Sequence, residues 1–552
     1  MNDFGSKIYD AAKKAVKEVY DLEPAEGQLI IETPQDTKLG DYSTSIAMKL
    51  SRTLRRNPME IAEPLTAKLA ELLPECESIT VARPGFINFK LKQSALAAVI
   101  NEVIAAGDDY GKNDSGKDKH MLLEWVSANP TGDLHCGHAR NAAWGDCICR
   151  LMEASGWDVL REFYVNDAGN QIVKLGESLT ARYFEYFGKE YPLPEDGYHA
   201  DDIKEIAAQL AKEEGDKWLT ADPKERLAYF MDYGKKKELE KIDRDLKTYR
   251  VTMQSWMHET FFYEDNCKRI NACLDRMADM GLTYEKDGAL WFKSTDYGDE
   301  KDRVLRKSDG TFSYLTPDIA NHVYKVERGY PLLVDLWGAD HHSYVIRMQN
   351  ALTALGYPKG TLEVDLIQMV RMVEDGKEVK MSKRTGNAIT LRELCEDIGV
   401  DAARWFFVSK DVATHMDLDL KLARSKDNNN PVYYAQYAYS RMCSILRNPQ
   451  IPEFKPVDSY DRLTDEKELQ LLKMISEFPK EVAADALNRK PNKMTEYIIS
   501  LVKVFHSYYN STKVNNPDDP ELTNQRLGLI KATMITLKNA LQLIGVSAPE
   551  TM

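Results

Sequence analysis

Three rhythms of apolar and polar positions succeed one another along the chain. Up to about residue 115, apolar positions recur at helical spacing over 8–20, 43–54, 61–73 and 94–106, while 28–32, 78–82 and 86–91 read as short strands. Between about 116 and 425, apolar runs of strand length alternate with longer helical patterns. The runs begin at Met121, Asp158, Ala289, Arg303, Leu332 and Leu362. Strands separated by helices in this way predict an α/β fold, a doubly wound parallel sheet of the Rossmann-like kind. A polar helical block over 190–285 reads as an insertion in that sheet. From about 426 to 552 the strand pattern stops, and helices are expected over 432–446, 465–478, 480–486, 494–509 and 525–543. Three domains follow: an N-terminal α/β unit (1–115), the doubly wound unit (116–425) and an all-α C-terminal unit (426–552).

Polar residues collect where predicted strands end. The run Met121–Ser127 leads into Thr-Gly-Asp-Leu-His-Cys-Gly-His-Ala-Arg-Asn, residues 131–141, and a helical pattern follows it. His135 and His138 thus sit where a strand hands over to a helix. A helix N-terminus suits phosphate through its unpaired N–H groups, and spacing of three puts both rings on one side of the first turn. Gly137 lets a ligand approach the backbone closely. The same pattern also fits a metal pair or two idle surface histidines. A second polar run, Gly338-Ala-Asp-His-His342, ends the Leu332 strand, again at a carboxyl edge, where ligands bind in such sheets. Lys380, Lys383 and Arg384 fall within five residues after the Asp375–Gly376 turn. They read as a loop that closes over polyphosphate or as a solvated face. Glu124 lies inside an apolar strand, where an acid seldom sits without a partner, and an arginine salt bridge is its plain alternative.

Bulk composition narrows the picture only a little. Charged residues are 29% and apolar ones 43% of 552, an ordinary globular balance. A net charge of −14 argues against a nonspecific nucleic-acid coat but not against a specific RNA partner. The eight cysteines are scattered without a Cys-x-x-Cys pair, so reduced thiols and no structural zinc are expected. Neither a signal peptide nor a membrane-length apolar run is seen, and a cytoplasmic location is expected. Gly111–Asp118 mimics a phosphate-binding G-x-x-x-x-G-K loop, but Asp118 replaces the hydroxyl residue and a helix precedes it, so it reads as a linker. Arg52, Arg55 and Arg56 form either an RNA contact or a solvated helix end. Tyr433, Tyr434, Tyr437 and Tyr439 are core, or a base-stacking group led by Tyr433.

His-Cys-Gly-His at 135–138 and Lys-Met-Ser-Lys-Arg at 380–384 resemble the two signatures of class I aminoacyl-tRNA synthetases, H-I-G-H and K-M-S-K-S, in the same order. Further stretches narrow the likeness: Glu124–Gly132, Tyr164–Gln171, Ser313–Asp318, Trp337–His342, Asn430–Tyr434, Gly40–Tyr42 and Pro84–Asn88. Together they resemble arginyl-tRNA synthetases of bacterial type, nearly end to end. The resemblance implies activation of L-arginine by ATP with Mg²⁺ and transfer to tRNA(Arg), with release of pyrophosphate and AMP. His135, His138, Lys380 and Lys383 would act on the phosphates. Gly137, Gly338, Asp340, Met381 and Ser382 would complete the ATP site. Glu124, Ser127, Asn129, His138, Tyr314, Asp318 and His341 would hold arginine, with Asp318 the strongest candidate for the guanidinium. The C-terminal unit would bind the anticodon and the N-terminal unit the outer corner of the tRNA, on a monomer. Two departures stand out: Cys136 replaces a branched aliphatic residue, and Arg384 replaces serine. Another class I synthetase, of cysteinyl or glutamyl type, and a noncatalytic tRNA-binding paralogue are the competing readings.

Overall fold

The computed structural model describes residues 4–34, 39–379 and 388–552. Its centre is a five-stranded sheet in the order Leu362–Ile367, Leu332–Gly338, His120–Glu124, Asp158–Val165, Ser255–His258. All four pairings are parallel. The first strand in sequence stands in the middle. The chain winds outward from it to Ser255–His258, then crosses back and continues on its other side. The reversal lies between His120–Glu124 and Leu332–Gly338, and ligands of such sheets bind at the carboxyl ends beside it.

Two sequence expectations change here. Ser255–His258 falls inside the stretch read as a helical insertion, yet it is the edge strand of the sheet. Four residues are too few to show a period, and their side chains are only half-buried. Conversely, Ala289–Phe292 and Arg303–Arg306 leave the main sheet and form a separate antiparallel sheet with Thr283–Lys286. A short apolar run does not say which neighbour it will pair with. The insertion proper is built by helices Asp201–Glu214 and Pro223–Thr248.

In the N-terminal unit an antiparallel sheet runs Ile31–Glu32, Tyr42–Thr44, Phe86–Leu91, Cys76–Ala82. The helix expected from Ser43 begins at Ile46, because Tyr42–Thr44 pair with Ile87–Phe89 instead. Gly40 makes that pairing fit: its φ is +113°, and a Cβ there would lie 2.6 Å from the Phe89 carbonyl oxygen. The Gly111–Asp118 linker behaves as a linker, with Gly116 under the Trp157 ring and its N–H donating to the Ser155 carbonyl.

Four long helices make the C-terminal unit: Pro431–Leu446, Glu466–Asn488, Pro491–Ser511 and Pro520–Leu543. The second runs through Pro479, where two helices were expected. Proline has no N–H and frees the carbonyl four residues back. The Tyr110 hydroxyl donates to that carbonyl, of Ile475, at 2.7 Å. A tertiary donor thus replaces the lost helical bond.

Helix Cys136–Ala154 is the beam that carries the site. In its middle Asp146, fully buried, accepts from Arg404 and Arg150 at 2.6 Å and from Arg161 at 2.8 Å. Burial alone would raise the Asp146 pKa, but the three guanidinium groups outweigh it and hold the carboxyl low. Arg404 also donates to the carbonyls of Ile544 and Tyr249, tying the beam to the end of the C-terminal unit. The N-terminus of the beam opens at the carboxyl edge of the sheet.

Candidate active site

The two signature histidines cap the beam with each other. His135 is the N-cap residue, and its Nδ1 accepts the Gly137 N–H at 3.1 Å, while the His135 N–H donates to His138 Nδ1 at 3.2 Å. The rings stack with centroids 3.9 Å apart. With both Nδ1 atoms accepting, the hydrogen-bond pattern assigns the proton of each neutral ring to Nε2. Burial, with His135 close by, pushes the His138 pKa down to about 3. His138 is therefore a neutral donor at pH 7. Two N–H donors at a helix start suit an oxyanion on a phosphate.

The far signature meets this turn through its flank. Thr390 bridges His135 in antiparallel fashion, and the Leu391 N–H donates to the Leu134 carbonyl at 2.7 Å. Thr390 then caps helix Leu391–Ile398 in a box with Glu393. Lys380, Met381, Ser382 and Lys383 lie outside the described residues. Gly338 ends the Leu332 strand, and Asp340 and His341 follow it in a single turn of 3-10 helix, Ala339–His341, both exposed at the carboxyl edge.

Across the reversal of the sheet, Glu124 stands opposite Asp335 in register. Lys325, fully buried, lies between them, 2.6 Å from Glu124 and 3.2 Å from Asp335. His322 Nε2 donates to the other Asp335 oxygen at 2.9 Å. Burial raises the Glu124 pKa in spite of Lys325, whereas Lys325 and His322 together overcome burial and keep Asp335 low. The partner of Glu124 is thus a lysine of this chain rather than an arginine. Ser127 joins the set: its Oγ donates to Glu124 Oε1 at 3.0 Å and accepts the Tyr164 N–H at 3.0 Å.

Asp318, half-buried on helix Leu315–Glu327, receives the Tyr344 hydroxyl. Burial pushes its pKa up, although that hydroxyl and the nearby His322 and Lys325 pull the other way. Its neighbour is a residue the sequence reading missed. Glu259 is 8% exposed, and burial beside Asp318 and Asp167 pushes its pKa up to about 7. The Tyr164 hydroxyl, buried without a hydrogen-bond partner among the described residues, has Glu259, Asp318 and Glu124 as acidic neighbours. Glu259 escaped notice because it stands just beyond the unrecognised edge strand, in His258-Glu259-Thr260, with no motif around it. Among the described residues neither acid forms a direct salt bridge; a buried carboxylate without one is costly, and a pair of acids here fits a cationic ligand. Tyr314 caps the region from outside at 87% exposure, and Asn129 is exposed on the loop after Ser127.

The loops around this site are tied to the insertion. Lys241 of helix Pro223–Thr248 lies 3.3 Å from Asp133, 2.6 Å from Asp202 and 2.7 Å from Glu238. Lys235 of the same helix reaches Asp167 at 3.3 Å, and Asp245 accepts from Arg392 at 3.0 Å. Asp167 also faces His258 and accepts the Thr260 N–H, which fixes the turn that carries Glu259.

The residues expected to touch RNA lie elsewhere. Arg55 and Arg56 are exposed at the end of helix Ile46–Leu54, where Arg55 takes a left-handed cap. The tyrosine cluster divides: Tyr439 is buried, while Tyr433 stacks on the exposed Tyr437, centroids 6.2 Å apart. Among the described residues no group of three His, Cys, Asp or Glu side chains could hold a metal ion, and no helix is long and apolar enough to cross a membrane.

Comparison with known proteins identifies the family of each unit. The catalytic-domain model of class I tRNA synthetases (R) matches residues 99–419, the arginyl tRNA synthetase N-terminal domain model matches 6–91, and the DALR anticodon-binding domain model matches 435–552. An arginine–tRNA ligase of Bacillus subtilis is 49% identical over 526 residues, covering 95% of this chain and 94% of the relative. That of Shouchella clausii is 50% identical over 527 residues, with the same coverage. The fold of Thermus thermophilus arginyl-tRNA synthetase superposes with a TM-score of 0.77 at 21% identity, covering 99% of this chain and all of that one. The chain belongs to the arginyl-tRNA synthetase family.

Proposed function

We propose that the chain joins L-arginine to tRNA(Arg) in two steps at this one site. The arginine carboxylate attacks the α-phosphorus of ATP, pyrophosphate leaves, and the arginyl group then passes to the terminal adenosine of the tRNA, releasing AMP. The observation that carries the reading is the pair of neighbouring acids Asp318 and Glu259, both pushed toward the neutral form by desolvation, on the sheet whose carboxyl edge also opens onto the mutually capped His135 and His138. A guanidinium entering between the two acids gains charge-assisted hydrogen bonds in a desolvated setting. Glu124, already paired with Lys325, is assigned to the floor of the pocket with Ser127, and Tyr314 and Asn129 to its rim. His341 is assigned to the amino-acid side of the Gly338 turn.

Little covalent work falls to the protein, so positioning and charge stabilisation carry the acceleration. His135 and His138 donate to the α-phosphate as charge builds there. Gly137, Gly338 and Asp340 are assigned to the nucleotide, with His138 also bordering the amino acid. Lys380 and Lys383, with Met381 and Ser382 between them, are assigned to the leaving pyrophosphate by their sequence alone. Mg²⁺ entering with ATP would supply charge neutralisation on the phosphates, and no residue of the chain is assigned to it.

The test is ATP–pyrophosphate exchange with each of the twenty amino acids, with and without tRNA. Exchange confined to arginine is expected. Exchange with another amino acid sinks the arginine reading, and none under any condition favours a tRNA-binding paralogue. For the N-terminal unit, replacing Arg55 and Arg56 together by alanine is expected to weaken tRNA binding several-fold at low salt while sparing the KM for arginine and ATP. Two phosphate contacts fewer should also flatten the salt dependence of tRNA binding, its log–log slope falling by about 2. Unchanged tRNA affinity in a filter-binding titration removes this helix end from the interface.

A further inference from the structure

Between strand His120–Glu124 and the signature turn the backbone takes a path that few residues accept. Val126 has φ +67° and Ser127 φ +38°. A β-branched residue in the left-handed region is an outlier that persists only where its surroundings hold it. One side chain does so from the beam. Asn141 Oδ1 accepts the Val126 N–H at 2.8 Å, and Asn141 Nδ2 donates to the Leu336 carbonyl at 3.0 Å. Asn141 therefore spans the reversal of the sheet and joins the exit of the central strand to its neighbour. The Ser127 N–H, bonded to the Trp125 carbonyl at 2.9 Å, tightens the same turn. Trp125 itself is seated on Gly145 of the beam, where a Cβ would come within 2.5 Å of the indole. What the turn delivers is the Ser127 hydroxyl, which bonds Glu124 and receives Tyr164.

We infer that Asn141 is a positioning residue for amino-acid recognition. It holds the left-handed turn at Val126 and Ser127, and through Ser127 it sets the Glu124–Lys325 pair and the Tyr164 strand end against which the amino acid packs. The inference rests on the arginine reading of the pocket. Asn141 has two hydrogen bonds to backbone and no part in the capping of the beam, so its loss acts first on the turn.

The experiment compares N141A, V126G and the double variant in tRNA-supplemented exchange assays, with KM measured for the amino acid and for ATP. Loss of the two half-buried hydrogen bonds is expected to raise the arginine KM of N141A by about 10- to 100-fold, the ATP KM changing by less than about threefold. Glycine adopts a positive φ without a pin, so V126G in the N141A background is expected to recover much of the loss. A merely structural role, loosening the helix against the sheet, would raise both KM values together and would gain nothing from glycine. Either of those results overturns the proposal. If the enzyme proves to activate another amino acid, the arginine reading fails, while the same KM split for that amino acid still decides the role of Asn141. Should N141A not fold, hydrogen exchange in the wild-type protein decides: a Val126 amide protected like the strand interior supports the pin, and a freely exchanging one removes it.

Discussion

D318N is expected to keep its fold and its ATP affinity while kcat/KM for arginine falls about 10³-fold, since removing one partner of a buried, hydrogen-bonded charge pair costs about 2–5 kcal/mol. Asparagine matches aspartate in shape and still accepts from the Tyr344 hydroxyl, so packing is preserved. What changes is the face turned to the ligand, where an amide N–H₂ replaces a carboxylate oxygen and meets a guanidinium that is all donor. In the free enzyme the substitution relieves a burial penalty, because the Asp318 pKa is already pushed up by desolvation. The variant should therefore melt no lower than the parent. Exchange kinetics at saturating ATP, with tRNA present, check the first half, and calorimetry the second. A loss below tenfold would move the guanidinium away from Asp318.

Arginine affinity is expected to depend on pH through Glu259. Its pKa, pushed up to about 7 by burial and by Asp318 and Asp167, leaves it partly protonated in the empty pocket near neutrality. A bound guanidinium favours the ionised form, so below pH 7 binding must expel a proton. The arginine KM should then rise about tenfold per pH unit as pH falls below 7, and level off above it. The ATP KM should not follow, since His138, at about 3, stays neutral across that range. Stability runs the opposite way. A carboxyl whose folded pKa exceeds its unfolded value of 4.5 costs the folded state progressively as pH rises through 4.5 to 7. E259Q removes both effects: it should flatten the pH profile, weaken arginine strongly, and stabilise the free enzyme at pH 8 by up to about 3 kcal/mol. A wild-type arginine KM that is flat from pH 6 to 8 would place Glu259 outside the arginine contact. The two variants also separate the acids, because D318N should lower the Glu259 pKa by removing a like charge and shift the profile toward acid.

How far the sequence reaches differs from element to element. The strands at Met121 and Leu332 were legible because central parallel strands read as apolar runs, and those at Asp158 and Leu362 because apolar residues outnumber the interspersed charges over strand length. The long helices of the C-terminal unit were legible because each carries its own period. Ser255–His258 was not, being four half-buried residues whose strand state depends on the neighbour Asp158–Val165. The proline at 479 pointed to a break, and the helix continues because Tyr110, remote in sequence, supplies the missing donor.

The same division runs through the site. His135, Gly137, His138, Asp318 and the run from Gly338 to His341 stand in local motifs, and it is the resemblance of those motifs, in their order, to one family that made the family and the kind of reaction legible in the sequence. Glu124 could be read as an acid in need of a partner, but which partner depended on Lys325 crossing from another helix. Glu259 has no local signature at all. Its proton affinity is set by desolvation and by Asp318 and Asp167, groups drawn together from three segments of the chain. Tertiary structure alone decided these points, because ionisation of a buried acid depends on what surrounds it in space, and sequence neighbours supply little of that field.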